Sequence, residues 1–180
     1  WLFEDTVLVY NGEIFNYKEL RNELDYNFQT DTDTEVLSVG LKLKGKDFIK
    51  QLDGMFAFAW YNKNSKELIM ARDSNGTKPI YYGNISGKFC FSSEIKSLLA
   101  IGFERKICKE ALKHYYKQGY NSGYLTLFQG IKKFVPGEVL SYDVKSGRKF
   151  SYNLNNKKIN INSNPKNVEE RIRHLINKSV

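Results

Sequence analysis

The chain has 180 residues, of which 41% are apolar, and it carries a formal net charge of +8. This size and composition are typical of a folded domain, and no stretch approaches the run of about 18–20 apolar residues that a membrane-spanning helix needs. The basic residues are scattered between apolar positions, which argues against a nucleic-acid-binding surface, and we expect a cytoplasmic protein.

The first elements predicted are a strand in "DTVLVY", residues 5–10, and a helix from about Tyr17 to Leu24. The residues between them, "NGE" at 11–13, predict a turn. Asn16 and Glu19 stand at the spacing of a capping box for this helix.

A second capping box, Thr32 with Glu35, predicts a helix that carries Asp33 in its first turn, where the helix dipole favours a carboxylate. The apolar residues expected on its buried face are Val36, Leu37, Gly40, Leu41 and Leu43. The next segment, "KDFIKQLDG", predicts a short helix that ends at Gly54.

The apolar period then changes to two, which predicts strands. The first hairpin joins "MFAFAWYN" to "KELIMARD", and the second joins "PIYYGN" to "KFCFSS". Because "MFAFAW" is almost continuously apolar, we expect this strand to be covered on both faces, with helices packed on the sheet. Cys90 alternates with two phenylalanines in "KFCFSS", which favours a buried thiol over a nucleophile.

The remaining elements are helices, short strands and a polar stretch. "SSEIKSLLAIG" predicts a helix closed by Gly102, and Cys108–Gln118 predicts another. Residues 153–167 are rich in Asn and Lys and predict a linker. The final residues, 168–180, predict an amphipathic helix. Its apolar face comprises Val168, Ile172, Leu175 and Ile176.

The "NGE" stretch has a chemical interpretation as well as a structural one. The Asn11 side chain and the Gly12 backbone N–H can donate to a single oxygen, as stabilisation of a tetrahedral acyl intermediate requires. Glu13 and Asp33 can hold an ammonium group. The alternative is that Asn-Gly forms a tight turn and that both acids only begin helices.

The ordered set "NGEIFNYKELR", "TDTDTEVL", "LDGMFAFAWYN", "ARDSNGTKPIYY" and "FSSEIKSLL" resembles the glutamine amidotransferase domain of asparagine synthases. The resemblance implies an α+β N-terminal nucleophile hydrolase, a four-layer α/β/β/α sandwich with antiparallel sheets, that hydrolyses glutamine to glutamate and ammonia. The resemblance implies that Asn11 and Gly12 form the oxyanion hole and that Glu13 and Asp33 bind the α-amino group of glutamine. Ammonia would pass to a synthetase domain of the same chain that uses ATP and Mg²⁺ to amidate aspartate or a related carboxylate.

The same resemblance divides the chain into an amidotransferase domain at 1–152, a linker at 153–167 and the start of a synthetase domain at 168–180. By comparison with the family pattern, about sixty residues are expected to be missing before residue 1. The family nucleophile is an N-terminal Cys, whereas residue 1 here is Trp1. We therefore expect the fragment alone to be inactive. The alternative is a non-catalytic glutamine-binding or scaffold module.

Other questions stay open at this point. Arg72 and Asp73 either form an ion pair that stabilises the fold or take part in the coupling to the synthetase domain. We favour the structural role. Neither cysteine has CxxC spacing and the two histidines are far apart, so no metal site is expected in this part. Exposed apolar faces make a homodimer possible.

Overall fold

The computed structural model describes residues 1–156 and 168–179. The strands are β1 (Leu2–Phe3), β2 (Thr6–Ile14), β3 (Gly54–Asn62), β4 (Glu67–Arg72), β5 (Tyr81–Ile85), β6 (Lys88–Ser92), β7 (Ile131–Lys133), β8 (Glu138–Asp143) and β9 (Lys149–Asn153). The α-helices are α1 (Tyr17–Glu23), α2 (Asp33–Lys44), α3 (Ile95–Ala100), α4 (Lys109–Gln118) and α5 (Val168–Ser179). A 3₁₀ helix spans Gly45–Gln51.

The strands form two antiparallel sheets. The larger has six strands in the order β1-β2-β3-β4-β8-β9, and the smaller has three in the order β6-β5-β7. Among the residues that the structure describes, every strand pair is antiparallel. Hairpins join β1 to β2, β3 to β4, β5 to β6 and β8 to β9. The β3–β4 and β5–β6 hairpins are the two that the sequence predicts.

Three buried clusters show how the layers stack. The largest joins α1, α2 and the 3₁₀ helix to one face of the six-stranded sheet. A second fills the space between the two sheets, and a third joins α3 to the outer face of the three-stranded sheet. The layers are therefore α/β/β/α, and the predicted α+β sandwich is confirmed.

Strand β3 is buried on both faces, as its continuous apolar sequence predicts. Phe56, Phe58 and Trp60 belong to the cluster on the helix side. Ala57 and Ala59 alternate with them and belong to the cluster between the sheets. Since successive side chains of a strand point to opposite faces, the large side chains meet the helices and the small ones leave room for the second sheet.

The predicted turn at residues 11–13 is wrong, because β2 continues to Ile14. It pairs with β3 without interruption, from Thr6 opposite Asn62 to Ile14 opposite Gly54. Asn-Gly is a strong local turn signal, but here a long partner strand decides the conformation. Gly54 is likewise the first residue of β3 and not the end of a helix.

The helix starts differ in part from the capping boxes predicted. Asn16 makes no side-chain cap and instead bonds to the Gln51 carbonyl at 2.8 Å and the Asp53 N–H at 3.0 Å. Thr32 does cap α2, since its hydroxyl accepts the Glu35 N–H at 3.3 Å. The predicted apolar face of α2 is buried except at its last member, Leu43, which is 54% exposed.

The first two residues of the predicted linker take part in the fold. Asn153 is the last residue of β9, and Leu154 packs against the cluster beneath α2. Residues 157–167 of the predicted linker lie outside the described residues. Helix α5 forms as predicted, and its four apolar side chains are each about half exposed. In the part of the chain that the structure describes, no helix is long and apolar enough to cross a membrane.

Candidate functional site

The site begins at the outer edge of β2, the edge that faces away from β3. Strand β1 pairs with β2 only at Thr6 and Val7, and the Leu8 N–H donates to the Trp1 carbonyl at 2.9 Å. Among the described residues no strand pairs with this edge beyond that point. Successive N–H groups of a strand alternate in direction, so the Gly12 N–H points to this open edge as the Leu8 N–H does.

The Asn11 side chain lies on the face of β2 that is turned toward the second sheet, because Asn11 pairs with Ala57 of the inter-sheet cluster. There it lines a cleft of about 350 Å³ between the sheets. The other side of the cleft includes Phe91, Ser92 and Ser97. Asn11 and Gly12 thus meet at the corner where the cleft opens onto the strand edge, and both can donate to one oxygen placed there.

Gly12 is also required by packing. A Cβ built on it would lie 2.0 Å from the Met55 carbonyl oxygen and 2.7 Å from the Phe56 Cα, and its φ is +151°. Gly54, across the same ladder, would place a Cβ 2.2 Å from the Glu13 carbonyl oxygen. Two glycines therefore allow β2 and β3 to approach closely at this end of the pair.

Asp33 reaches the same strand edge from the first residue of α2. Its Oδ2 accepts the Tyr10 hydroxyl at 2.6 Å and the Ile14 N–H at 3.0 Å. The Ile14 N–H points to the open edge of β2, where no described strand accepts it. The Asp33 carboxylate accepts this N–H in place of a neighbouring strand. Placement of Asp33 at the start of this helix is as the sequence predicts.

Glu13 is exposed and lies on the same face of β2 as Asn11, two residues earlier. In the described part of the chain, no Lys or Arg forms an ion pair with Glu13 or Asp33. Burial raises the pKa of Tyr10, and the hydrogen bond to Asp33 and the charges of Asp33 and Glu13 raise it further. The structure thus brings Asn11, Gly12, Glu13 and Asp33 to one end of β2.

Sequence reasoning missed Tyr10 and the serine-rich wall of the cleft. The period of two in "TVLVY" places Tyr10 among core positions, and nothing local shows that its hydroxyl meets a residue 23 positions later. The wall comprises Ser92, Ser93, Glu94 and Ser97. Its signal is the polar "SSE" at the point where a strand ends and a helix begins.

Arg72 and Asp73 each bond to backbone groups. They form no salt bridge with each other, so the predicted ion pair is wrong. Arg72 donates to the carbonyls of Lys78, Phe134 and Gly76. Asp73 is buried, at 1% exposure, and accepts the N–H groups of Asn75, Thr77 and Lys78. Burial opposes ionisation of Asp73, but these hydrogen bonds prevail and lower its pKa.

Neither cysteine lies at the corner formed by Asn11 and Gly12. Cys90 packs with the cluster between the small sheet and α3, and Cys108 is the residue before α4. Both are half-buried. Across residues 1–156 and 168–179, no group of three or more His, Cys, Asp or Glu could hold a metal ion.

Comparison with known proteins shows the family to which the chain belongs. The family model "Glutamine amidotransferase domain" matches residues 3–153. The chain is 43% identical over 133 residues to asparagine synthetase [glutamine-hydrolyzing] 1 of Bacillus subtilis, a match that covers 72% of this chain and 21% of the relative. It is 34% identical over 153 residues to putative asparagine synthetase [glutamine-hydrolyzing] 2 of Methanocaldococcus jannaschii, covering 82% and 30%. The chain spans less than a third of either relative.

Solved structures support the fold. Glutamine phosphoribosylpyrophosphate amidotransferase from B. subtilis matches with a TM-score of 0.57 at 22% identity, over 84% of this chain and 30% of that one. A structure described as the allosteric regulatory enzyme of purine biosynthesis matches with a TM-score of 0.60 at 23% identity, over 84% and 29%. The N-terminal nucleophile hydrolase fold is thereby confirmed. The chain belongs to the glutamine amidotransferase domain family, as a class II domain of the asparagine synthase type.

Proposed function

We propose that this domain hydrolyses glutamine at the corner formed by Asn11 and Gly12. In this proposal it supplies ammonia to a synthetase domain of the same chain. The observation that carries the proposal is the position of Asn11, which lines the cleft beside the open edge of β2 to which the Gly12 N–H points. Two carboxylates that have no cationic partner among the described residues lie next to it.

The two donors fit the charge that develops when a nucleophile attacks an amide. The amide oxygen gains negative charge in the tetrahedral intermediate, and the Asn11 side-chain N–H and the Gly12 backbone N–H would stabilise it. Gly12 is held in a continuous ladder with β3, so its N–H is oriented before substrate arrives. Donors fixed in advance need no reorganisation during the reaction.

The two carboxylates fit the other end of glutamine. Glu13 and Asp33 flank the strand edge from opposite faces of the sheet, and the charges of both reach the Tyr10 hydroxyl. The α-ammonium group of glutamine would supply the positive charge that this place lacks, through charge-assisted hydrogen bonds. Asn11 and Gly12 would then hold the reacting amide, and Glu13 and Asp33 would select an α-amino acid.

The nucleophile is a separate part of the proposal. The family resemblance implies an N-terminal cysteine whose own amino group acts as base. Cys90 and Cys108 have no free α-amino group and lie in a strand and at a helix start. We therefore propose that a polypeptide whose first residue is Trp1 does not hydrolyse glutamine by itself.

The acceptor and the energy source belong to the synthetase part. The relatives named above are asparagine synthetases, and we propose aspartate or a related carboxylate as acceptor, with ATP and Mg²⁺ driving the amidation. The described residues offer no fitting metal site, so no step in this domain is assigned to ATP or Mg²⁺. A cytoplasmic location and a homodimer stay predictions.

The test uses the native protein from its source, with its natural ends established by intact mass and N-terminal sequencing. We expect glutamine to yield glutamate, and we expect asparagine to form from aspartate when glutamine, ATP and Mg²⁺ are supplied together. The 180-residue polypeptide, assayed in parallel, should release no ammonia. A native protein that begins with Cys and still leaves glutamine intact would contradict the proposal.

A further inference from the structure

The contacts of Asp33 are unevenly divided between its two carboxylate oxygens. Oδ2 accepts both the Tyr10 hydroxyl at 2.6 Å and the Ile14 N–H at 3.0 Å. Oδ1 accepts, among the described residues, only the Thr34 hydroxyl at 3.3 Å. The carboxylate is therefore held through one oxygen, and the other keeps most of its capacity to accept.

Tyr10 is well suited to hold this carboxylate in a fixed orientation. Its ring packs against the cluster beneath α1 and α2, and it stands opposite Phe58 in the β2–β3 ladder. The hydroxyl position is thus fixed by backbone pairing and by ring packing. Burial and the neighbouring carboxylates raise the pKa of Tyr10, so the hydroxyl keeps its proton and remains a donor.

The position of Tyr10 in the strand links this contact to the proposed reaction site. Tyr10 directly precedes Asn11, and Ile14 is two residues beyond Gly12, so Asp33 is tied to β2 on both sides of the two donors. A strand advances about 3.4 Å per residue, so the Gly12 and Ile14 N–H groups are roughly 7 Å apart along the edge. These two hydrogen bonds consequently fix the position of the Asp33 carboxylate relative to Asn11 and Gly12.

We propose, resting on the function proposed above, that Tyr10 is a positioning residue that holds Asp33 through Oδ2 and leaves Oδ1 to accept the α-ammonium group of glutamine. Tyr10 does not touch the reacting amide. Tyr10 contributes to binding of the amino group, and this interaction is equally strong in the ground state and in the transition state. Loss of such an interaction raises KM and leaves kcat nearly unchanged.

The experiment compares the native protein with its Tyr10→Phe variant, using two substrates. The first is glutamine and the second is glutaramate, which keeps the amide and lacks the α-amino group. For glutamine we expect KM to rise roughly tenfold and kcat to change less than about twofold, as fits one hydrogen bond to a charged group. For glutaramate we expect kcat/KM to be the same in both proteins.

Tyr26→Phe is the matched control. Tyr26 is a half-buried tyrosine of the same cluster, and the described contacts of its side chain are ring contacts with Phe3 and Phe28. This variant should keep the wild-type constants for both substrates. Crystal structures of the wild-type and Tyr10→Phe proteins provide a second readout, in which Asp33 should turn away from Ile14 in the variant.

The outcomes separate the two proposals. Unchanged glutamine constants in Tyr10→Phe would overturn the positioning role of Tyr10 and leave the proposed function standing. Equal losses with glutamine and glutaramate would also overturn it, because they would indicate general damage to the fold. A wild-type protein with a natural N-terminal Cys and no turnover of glutamine would overturn the proposed function and this assignment with it.

Discussion

Replacement of Gly12 by Ala tests whether close approach of β2 and β3 shapes the site. The new Cβ would lie 2.0 Å from the Met55 carbonyl oxygen and 2.7 Å from the Phe56 Cα. Both are backbone atoms of β3 inside a continuous ladder, in the second and third pairs from its end at Ile14 and Gly54, so neither can move without separating the strands. The φ of +151° adds a conformational penalty, because side chains disfavour this backbone region.

Substitutions at two other glycines measure the steric cost and the conformational cost of Gly12→Ala separately. Gly54→Ala places a Cβ 2.2 Å from the Glu13 carbonyl oxygen at an ordinary φ, so it measures the steric part. Gly87→Ala has φ +75° and no atom within 4 Å, so it measures the conformational part. We expect losses of about 1–3 kcal/mol for the steric change and about 1 kcal/mol for the conformational change.

Gly12→Ala should combine both effects and lower the free energy of unfolding by roughly 2–4 kcal/mol. For a domain of this size that corresponds to a fall in Tm of roughly 5–15 °C. The assay is urea unfolding followed by the fluorescence of Trp60, which is 3% exposed. A variant within about 0.5 kcal/mol of wild type would refute the reasoning. If the expected loss is found, reduced activity of this variant is not evidence for an oxyanion role, and Asn11 must supply that evidence.

Two further predictions concern the loop after β4. Arg72→Ala leaves three backbone carbonyls without their donor and should lower the free energy of unfolding by about 2–4 kcal/mol in urea titrations. Glutaminase activity and ammonia transfer per folded molecule should both persist, and selective loss of transfer would indicate a coupling role. For Asp73→Asn we expect a cost of about 2 kcal/mol at pH 7. The pKa of Asp73 is lower in the folded protein than in the unfolded chain, where it is about 4. The ionised carboxylate therefore contributes its full stabilisation above pH about 4, and this stabilisation is lost as the pH falls through the pKa of the folded state. The difference between wild type and Asp73→Asn should therefore shrink toward pH 3, and a constant difference would contradict this account.

The layered fold could be predicted because several patterns agree along the chain. Strand β3 illustrates this: alternation of phenylalanine and alanine between 56 and 59 encodes burial on both faces, and both covering layers are present. The start of α2 at Asp33 was predictable because Thr32 is a local signal for it. Local signals fail at Asn11-Gly12, where nine paired residues of β3 outweigh the turn preference of two.

The candidate site shows the same division between local and distant causes. Asn11, Gly12, Glu13 and Asp33 could be named from residue types and a family resemblance, and the structure places them at one end of β2. Tyr10 could not be named, because its role depends on a hydrogen bond to Asp33 across 23 residues. The packing demand at Gly12 also depends on a distant strand, through the Met55 carbonyl.

The most direct test of the central claim is the glutaminase rate of the native protein with Asn11 replaced by Ala. Asn11 is exposed and lines the cleft, so its loss should leave the stability of the fold unchanged. If Asn11 donates to the oxyanion, kcat for glutamine should fall by about 10²–10³. Amidation supported by added ammonia should continue at the wild-type rate. A glutaminase rate within threefold of wild type would contradict the assignment of the oxyanion site to this corner.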